Sequence, residues 1–440
     1  MKTFATHVPP ASKLDDAQRR HGRICAYAST WFGCYAEVMT DSSAIVILYI
    51  TLLHGSPTMT MLSTSFPALA AILLTIPGAG IVSRIGLRNS YAASCYIGCF
   101  GMLMMAYAAL FPRPLNLILV MLGCLVYNLS RPLYGVTWYP MLDNVLLPSE
   151  RGAFFGTMRF SYLALTATSF FLISLLMGKD PPIWALQVVI AVVGVLLLGR
   201  KYYLDRMPVE EPQREKRGYD LWQALVITIR NRPLVGWSVY TCCIGLASSA
   251  LLPLTMIYLK HEVMANAKVV QWISVIYMIG LIISHLVASR MLRRFGVKRL
   301  QPAGHVTFIV CALGLAFLNH NIPHFYWWIS VIMFLLGFAT ANGLNCYSME
   351  LMALARPDNR TMASAFLSTY SSIGGLSSRF LTSFVLGAGM LVPHWTRGGI
   401  TFCSYQTLFL FFSALLIFFL LLLFLVPSIV PRNRDYYVPY

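Results

Sequence analysis

The stretch "SRIGLRN" at residues 83–89 separates two long apolar runs, and "RRFGVKR" at residues 293–299 does the same, with Gly86 and Gly296 aligned 210 residues apart. A glycine in so short a connection lets the chain reverse between antiparallel helices at positive φ, while flanking Arg or Lys can bond helix-terminal carbonyls or carboxylates. A second pair has nearly the same offset: "PSERGAFFG" at 148–156 and "PDNRTMASA" at 357–365 align Pro148 with Pro357 and Arg151 with Arg360, 209 residues apart. Two agreeing offsets at equivalent loops mark an internal repeat.

The runs joined by these loops are of membrane-spanning length. Of the 440 residues, 58% are hydrophobic and 11% charged, with a mean hydropathy of +0.67, more apolar surface than a water-soluble core can use. Twelve runs reach the roughly 20 residues that carry a helix across about 30 Å of hydrocarbon. They fall at 29–53, 57–83, 89–111, 115–142, 152–177, 182–203, 233–259, 268–289, 302–319, 325–350, 362–391 and 405–427. None alternates with period 2, which argues against a transmembrane β-barrel. The first run is too long for the core of a cleaved signal peptide. The ten cysteines, nearly all in or beside these runs, have neither disulfide-framework nor zinc-site spacing.

The 33 Lys and Arg exceed the 16 Asp and Glu, giving +17, and their placement decides what that charge means. With the N-terminus inside, 25 fall on the cytoplasmic side and five (Arg113, Lys179, Lys260, Lys268 and Arg397) outside. This is the positive-inside asymmetry of an even-numbered bundle with both termini cytoplasmic, in the plasma membrane or a bacterial inner membrane. No basic domain interleaved with aromatics lies outside the lipid, so nucleic acid is not an expected partner. The polar stretch "YLDRMPVEEPQREKRGYD" at 203–220 divides the runs six and six. The expected organisation is a tail at 1–28, one six-helix bundle at 29–203, a linker at 204–232, a second bundle at 233–427 and a tail at 428–440.

Over nearly its whole length the chain resembles the major facilitator superfamily. The resemblance rests on twelve runs in two halves, a basic central loop, Gly-plus-basic loops after runs 2 and 8, and Arg131 followed by Gly135 in run 4. It implies an all-α integral membrane fold of two pseudo-symmetric bundles, with runs 1, 4, 7 and 10 lining a cavity. Where the family usually has an aspartate before the loop arginine, this chain has Ser83 and Arg293. Other acids are expected to close the cytoplasmic side instead: Asp143 with Arg84 or Arg88, and Glu350 with the cluster from Arg293 to Arg299. Gly86, Gly296, Arg151 and Arg360 complete this set of gating candidates.

A charge at mid-bilayer costs at least about 2.5 to 3.5 kcal/mol, so such residues face protein or water. Five stand out: Glu37 and Asp41 in run 1, Arg131 in run 4, Arg159 in run 5 and Arg379 in run 11; runs 3, 6, 9 and 12 show no comparable residue. Glu37 and Asp41 lie four apart on one helix face. Two like charges so close do not both ionise easily, which suits a proton carrier. Arg131 is expected to be the counter-ion of one of them, and a pairing of Glu37 with Arg131 or Arg159 would instead fix helix packing. Arg131 and Arg379 are also fitted to hold a carboxylate or phosphate. Tyr127, Asn128, Tyr134, Trp138, Asn342 and Asn345 are cavity candidates. His285, near the cytoplasmic end of run 8, reads as a packing residue. The small and hydroxylated residues of "STYSSIGGLSSR" at 368–379 suit close helix approach, or a break in run 11.

These features describe a secondary active transporter of a small polar or anionic organic solute, working by alternating access and driven by protons, with sodium as an alternative ion. A monomer among membrane lipids is expected, with no cofactor or metal. Rival readings are proton-coupled export of drugs, amphiphiles or lipids, and a non-transporting sensor or scaffold. With no P-loop, catalytic triad or metal-ligand cluster, an enzyme is not expected.

Overall fold

The computed structural model describes residues 14–143, 145–146, 151–179, 181–208, 221–356, 359–397 and 400–425. Pro148 and Pro357 lie outside these, as do the side chains of Asp143, Arg151 and Arg360, so the loop pairings expected of them are not described.

Among the described residues the chain is all-α apart from one hairpin. The first half runs α1 Asp16–Asp41, α2 Ile45–Leu52, α3 Pro57–Ser63, α4 Phe66–Ile85, α5 Leu87–Tyr107, α6 Leu115–Asp143, α7 Arg151–Met177 and α8 Ile183–Asp205. The second runs α9 Leu221–Arg230, α10 Arg232–Ser248, α11 Leu251–His261, α12 Ala267–Phe295, α13 Val297–Phe317, α14 Phe325–Leu354, α15 Arg360–Gly387 and α16 Ser404–Leu425. Strands β1 His394–Arg397 and β2 Ile400–Cys403 pair antiparallel between α15 and α16. Among the described residues, ten helical stretches are long and apolar enough to cross a membrane, and α1 with α2 makes an eleventh. The remaining expected span is α15, whose 28 residues have the length but whose serines, threonines and glycines leave it less apolar.

Two stretches assigned to a tail and a linker are helical. Asp15 accepts from backbone N–H groups at the start of α1 while Gln18 accepts from the Asp15 N–H, a reciprocal cap that starts the helix well before the lipid-spanning part. Helix α9 occupies the end of the linker and packs on α10 and α15.

Gly86 at φ 89° and Gly296 at φ 70° each end one helix and begin the next, as the two matched loops require. The side of the bundle that holds these turns, the start of α1 and the end of α16 is called here the terminal side, and the opposite face the far side.

Three spans are interrupted. α1 and α2 meet at a 56° bend, α3 and α4 at Thr64–Ser65, and α10 and α11 at Ser249–Ala250. α15, whose composition suits close helix approach or a break, is continuous. Glycines set the tightest helix contacts. A methyl group on Gly101 would come within 2.6 Å of the Tyr127 backbone nitrogen, and on Gly280, Gly337 or Gly374 it would overlap a backbone carbonyl of the neighbouring helix.

The two halves meet where α3 and α4 pack on α15, where α7 packs on α12, and where α2 and α3 pack on α11. These last are the far-side pieces of their spans. Among the described residues the terminal-side pieces α1 and α10 share no comparable contact.

Candidate functional site

The bend between α1 and α2 fixes the site. Asp41 is the last residue of α1, and Arg131 of α6 donates to both of its carboxylate oxygens, at 2.8 and 2.7 Å. Asn128, fully buried one turn earlier, accepts from Arg131 at 3.2 Å and donates to the Cys124 carbonyl at 2.8 Å, which holds the guanidinium in register. The arginine beside a proline in run 4 is therefore the counter-ion of Asp41.

Glu37 departs from expectation. Its partner is neither Arg131 nor Arg159 but Arg200 of α8, at 2.7 Å. Run 6 thus carries an intramembrane charge after all, and Arg200 is only 5% exposed. Its guanidinium carbon lies 4.1 Å from the centre of the Tyr134 ring and its plane fills the space left by Gly33, where a methyl group would overlap it. Each carboxylate thus has its own guanidinium, so the mutual repulsion inferred from their spacing is offset locally.

Arg379 bridges the halves. From α15 its Nε donates to the Ser249 carbonyl at 3.1 Å, at the break between α10 and α11, and its Nη1 donates to the Thr64 carbonyl at the break between α3 and α4. Its neighbour Ser378 accepts from Ala250 N–H at 3.2 Å. The bend in the first span is served in the same way from across the molecule, where Gln271 of α12 accepts from Ala44 N–H and the Ser43 hydroxyl, both at 3.2 Å. The backbone groups freed at three breaks are thus satisfied by side chains of other spans.

Between these groups lies a cavity of about 210 Å³, lined by Asp41, Arg379, Ser248, Tyr277, Thr340 and Tyr347 among others. A smaller void of about 20 Å³ adjoins it on the far side of the bend, also lined by Asp41 and Arg379. Beyond it the halves are joined by a Thr51 to His261 contact at 3.4 Å, by Ser383 donating to the Thr58 carbonyl at 2.9 Å, and by Phe171 stacked on Trp272 at 5.9 Å.

The other expected residues divide. Tyr134 supports Arg200, and Asn128 supports Arg131. Tyr127 is 2% exposed against α5, and Trp138, 7% exposed, packs with Phe154 and Met158. Asn342 faces α13, donating to the Leu300 carbonyl at 3.1 Å, and Asn345 bonds His285 at 3.1 Å. The cavity face of α14 is instead Leu336, Thr340, Gly343 and Tyr347, a helical spacing from which both asparagines are rotated away. Arg159 is half-buried and, among the described residues, makes no ion pair.

At the terminal side Arg84, Arg88, Arg293 and Arg299 are exposed and Glu350 is 1% exposed. An acid that sequence reasoning passed over lies in this layer. Asp205 at the end of α8 accepts from the Tyr91 hydroxyl of α5 at 2.7 Å and pairs with Lys201 at 2.6 Å.

The sequence profile of the Major Facilitator Superfamily matches residues 29–375 and 237–436. No curated protein sequence matches. In structure the chain is similar to the nucleoside transporter NupG, at 15% identity over 93% of this chain and 98% of that one, with a TM-score of 0.65. It is also similar to a POT family transporter in complex with a thioalcohol conjugated peptide, at 11% identity over 93% and 97% of the two chains, with a TM-score of 0.72. The inward-open xylose transporter XylE from E. coli is similar at 14% identity over 91% and 94%, with a TM-score of 0.59.

Proposed function

The chain belongs to the major facilitator superfamily, and from that premise we propose that it moves a small polar or anionic organic solute by alternating access, coupled to protons through Asp41. The observation that carries this reading is Asp41, held bidentately by Arg131 behind it, on the wall of a cavity that the far-side contacts close. A proton on Asp41 would dissolve the pair and free Arg131, changing what the cavity offers a solute and what holds α1 to α6. Glu37 lies one turn away against Arg200, outside the lining residues, so its assigned role is to hold α1 to α8.

The charge asymmetry supports a topology with both termini, and with them the mouth of the cavity, in the cytoplasm. The two sets of six spans, 29–203 and 233–427, are the bodies that rock against each other around α4 with α15 and α7 with α12. A structural neighbour described as a proton:xylose symporter supports this type of coupling on the same fold.

Uptake into proteoliposomes under an imposed pH gradient tests the reading. Accumulation is expected for the intact chain, with Asp41→Asn abolishing the response to the gradient while counterflow persists. Gradient-driven accumulation undiminished in Asp41→Asn would remove Asp41 from the coupling.

A further inference from the structure

The cavity's charges do not balance, and the imbalance has an address. Arg131 is neutralised by Asp41 and Arg200 by Glu37, each at hydrogen-bonding distance. Arg379 has no carboxylate within ion-pairing distance among the described residues; its partners are two backbone carbonyls, on Nε and Nη1. Among the described residues its Nη2 has no hydrogen-bond partner, and the residue lines the cavity. A guanidinium with a spare N–H edge, held rigidly by two carbonyls in a low-dielectric setting, is preorganised for an anionic oxygen.

The walls add a second constraint. The hydroxyl hydrogens of Thr241, Ser248 and Thr340 are committed to carbonyls of their own helices, Ser238, Ile244 and Leu336, each at 2.8 Å. On the cavity wall the Thr241 and Ser248 oxygens keep lone pairs with which to accept, and the Thr340 oxygen, which the Tyr277 hydroxyl also engages, lies beside them. A bound solute satisfies them by supplying N–H or O–H donors.

We infer that Arg379 is the anion receptor of this cavity and that the solute is a hydroxylated organic anion, its carboxylate or phosphate on Nη2 and its hydroxyls on Thr241, Ser248 and Thr340. This deepens the transport reading above and rests on it. It also disfavours a simple apolar acid as the solute, since such a molecule would leave the Thr241 and Ser248 oxygens without donors.

The test uses the purified full-length protein and five probes: gluconate, glycerol 3-phosphate, their uncharged counterparts glucose and glycerol, and benzoate as an anion without hydroxyls. Thermal stabilisation is expected from a hydroxylated anion and not from its uncharged counterpart or benzoate. Loss of a charge-assisted hydrogen bond in Arg379→Gln is expected to weaken that binding about ten- to hundredfold. Arg379→Lys, which keeps the charge, should retain part of it, and Thr340→Val should cost the hydroxylated anion affinity without improving glucose. A purely structural role for Arg379 would lower the melting temperature of Arg379→Gln without changing which probes bind.

Equal stabilisation by gluconate and glucose, anion binding unchanged in Arg379→Gln, or silence across all five probes would overturn the inference. Liposome uptake of glucose or glycerol, undiminished in Arg379→Gln, would sink the anion site and leave the transport reading standing. Anion binding that depends on Arg379, with no uptake of any probe, would do the reverse.

Discussion

Glu37 and Arg200 show how a residue's neighbours decide its meaning. Arg200 lies in the last turns of α8, next to Lys201, where a basic residue reads as one more positive-inside charge. Its depth became legible only from its surroundings: Gly33, one helical turn before Glu37, leaves a slot beside an acid, and the slot is the shape of a guanidinium. Arg131, by contrast, stands far from any loop, and the sequence narrowed its partner to Glu37 or Asp41, between which the bend after Asp41 decides. Gly33→Ala is expected to lower stability by about 1 to 3 kcal/mol through overpacking. A double-mutant cycle on Glu37→Gln and Arg200→Gln should return a coupling of about 0.5 to 3 kcal/mol. Thermal melts in detergent measure both, and additive effects would show that the pair contributes nothing jointly.

The three broken spans trade partners at the scale of helices. The hydroxyl-rich run at 368–379, suited by its sequence to close helix approach or to a break, is an intact helix that supplies partners to breaks in two others. The breaks were nonetheless written in the chain. Ser42-Ser43-Ala44-Ile45 and Ser248-Ser249-Ala250-Leu251 stand 206 residues apart, at the same place in the first span of each half. Neither is conspicuous alone, because short Ser-Ala sequences are ordinary in helices; each gains meaning from its partner. If Arg379 and Gln271 hold the far side shut, Arg379→Gln and Gln271→Ala should each shift the protein toward a far-side-open form. Spin labels at Pro112→Cys and Met264→Cys, with Cys242 and Cys243 replaced by serine, report this as a longer distance component. An unchanged distance distribution in both variants would show that closure resides elsewhere.

In the molecule as a whole, the long apolar helices and the glycine turns were legible because each is imposed by one strong force: the hydrophobic thickness of a bilayer, or the steric demand of a reversal at positive φ. Which side is open was not legible, since it depends on a small difference between two packings of the same helices. In the observed state α2 and α3 meet α11 while α1 and α10 stand apart. Thr241→Cys, on the cavity wall, should therefore react with an impermeant maleimide added from the terminal side and be protected from the far side. The opposite pattern would mean that the favoured state in a membrane is the other one.

The bend after Asp41 also puts a carboxylate at the carbonyl end of α1, the negative pole of that helix, where an anion is disfavoured by about 0.3 to 1 kcal/mol. Arg131 must counter this local field as well as attract its partner. Adding a proton there relieves a repulsion at the same moment that it breaks an attraction, so a part of the cost of parting the pair is returned by the helix itself. A contact so mounted is easier to unmake than the same pair placed mid-helix, which suits a device that cycles.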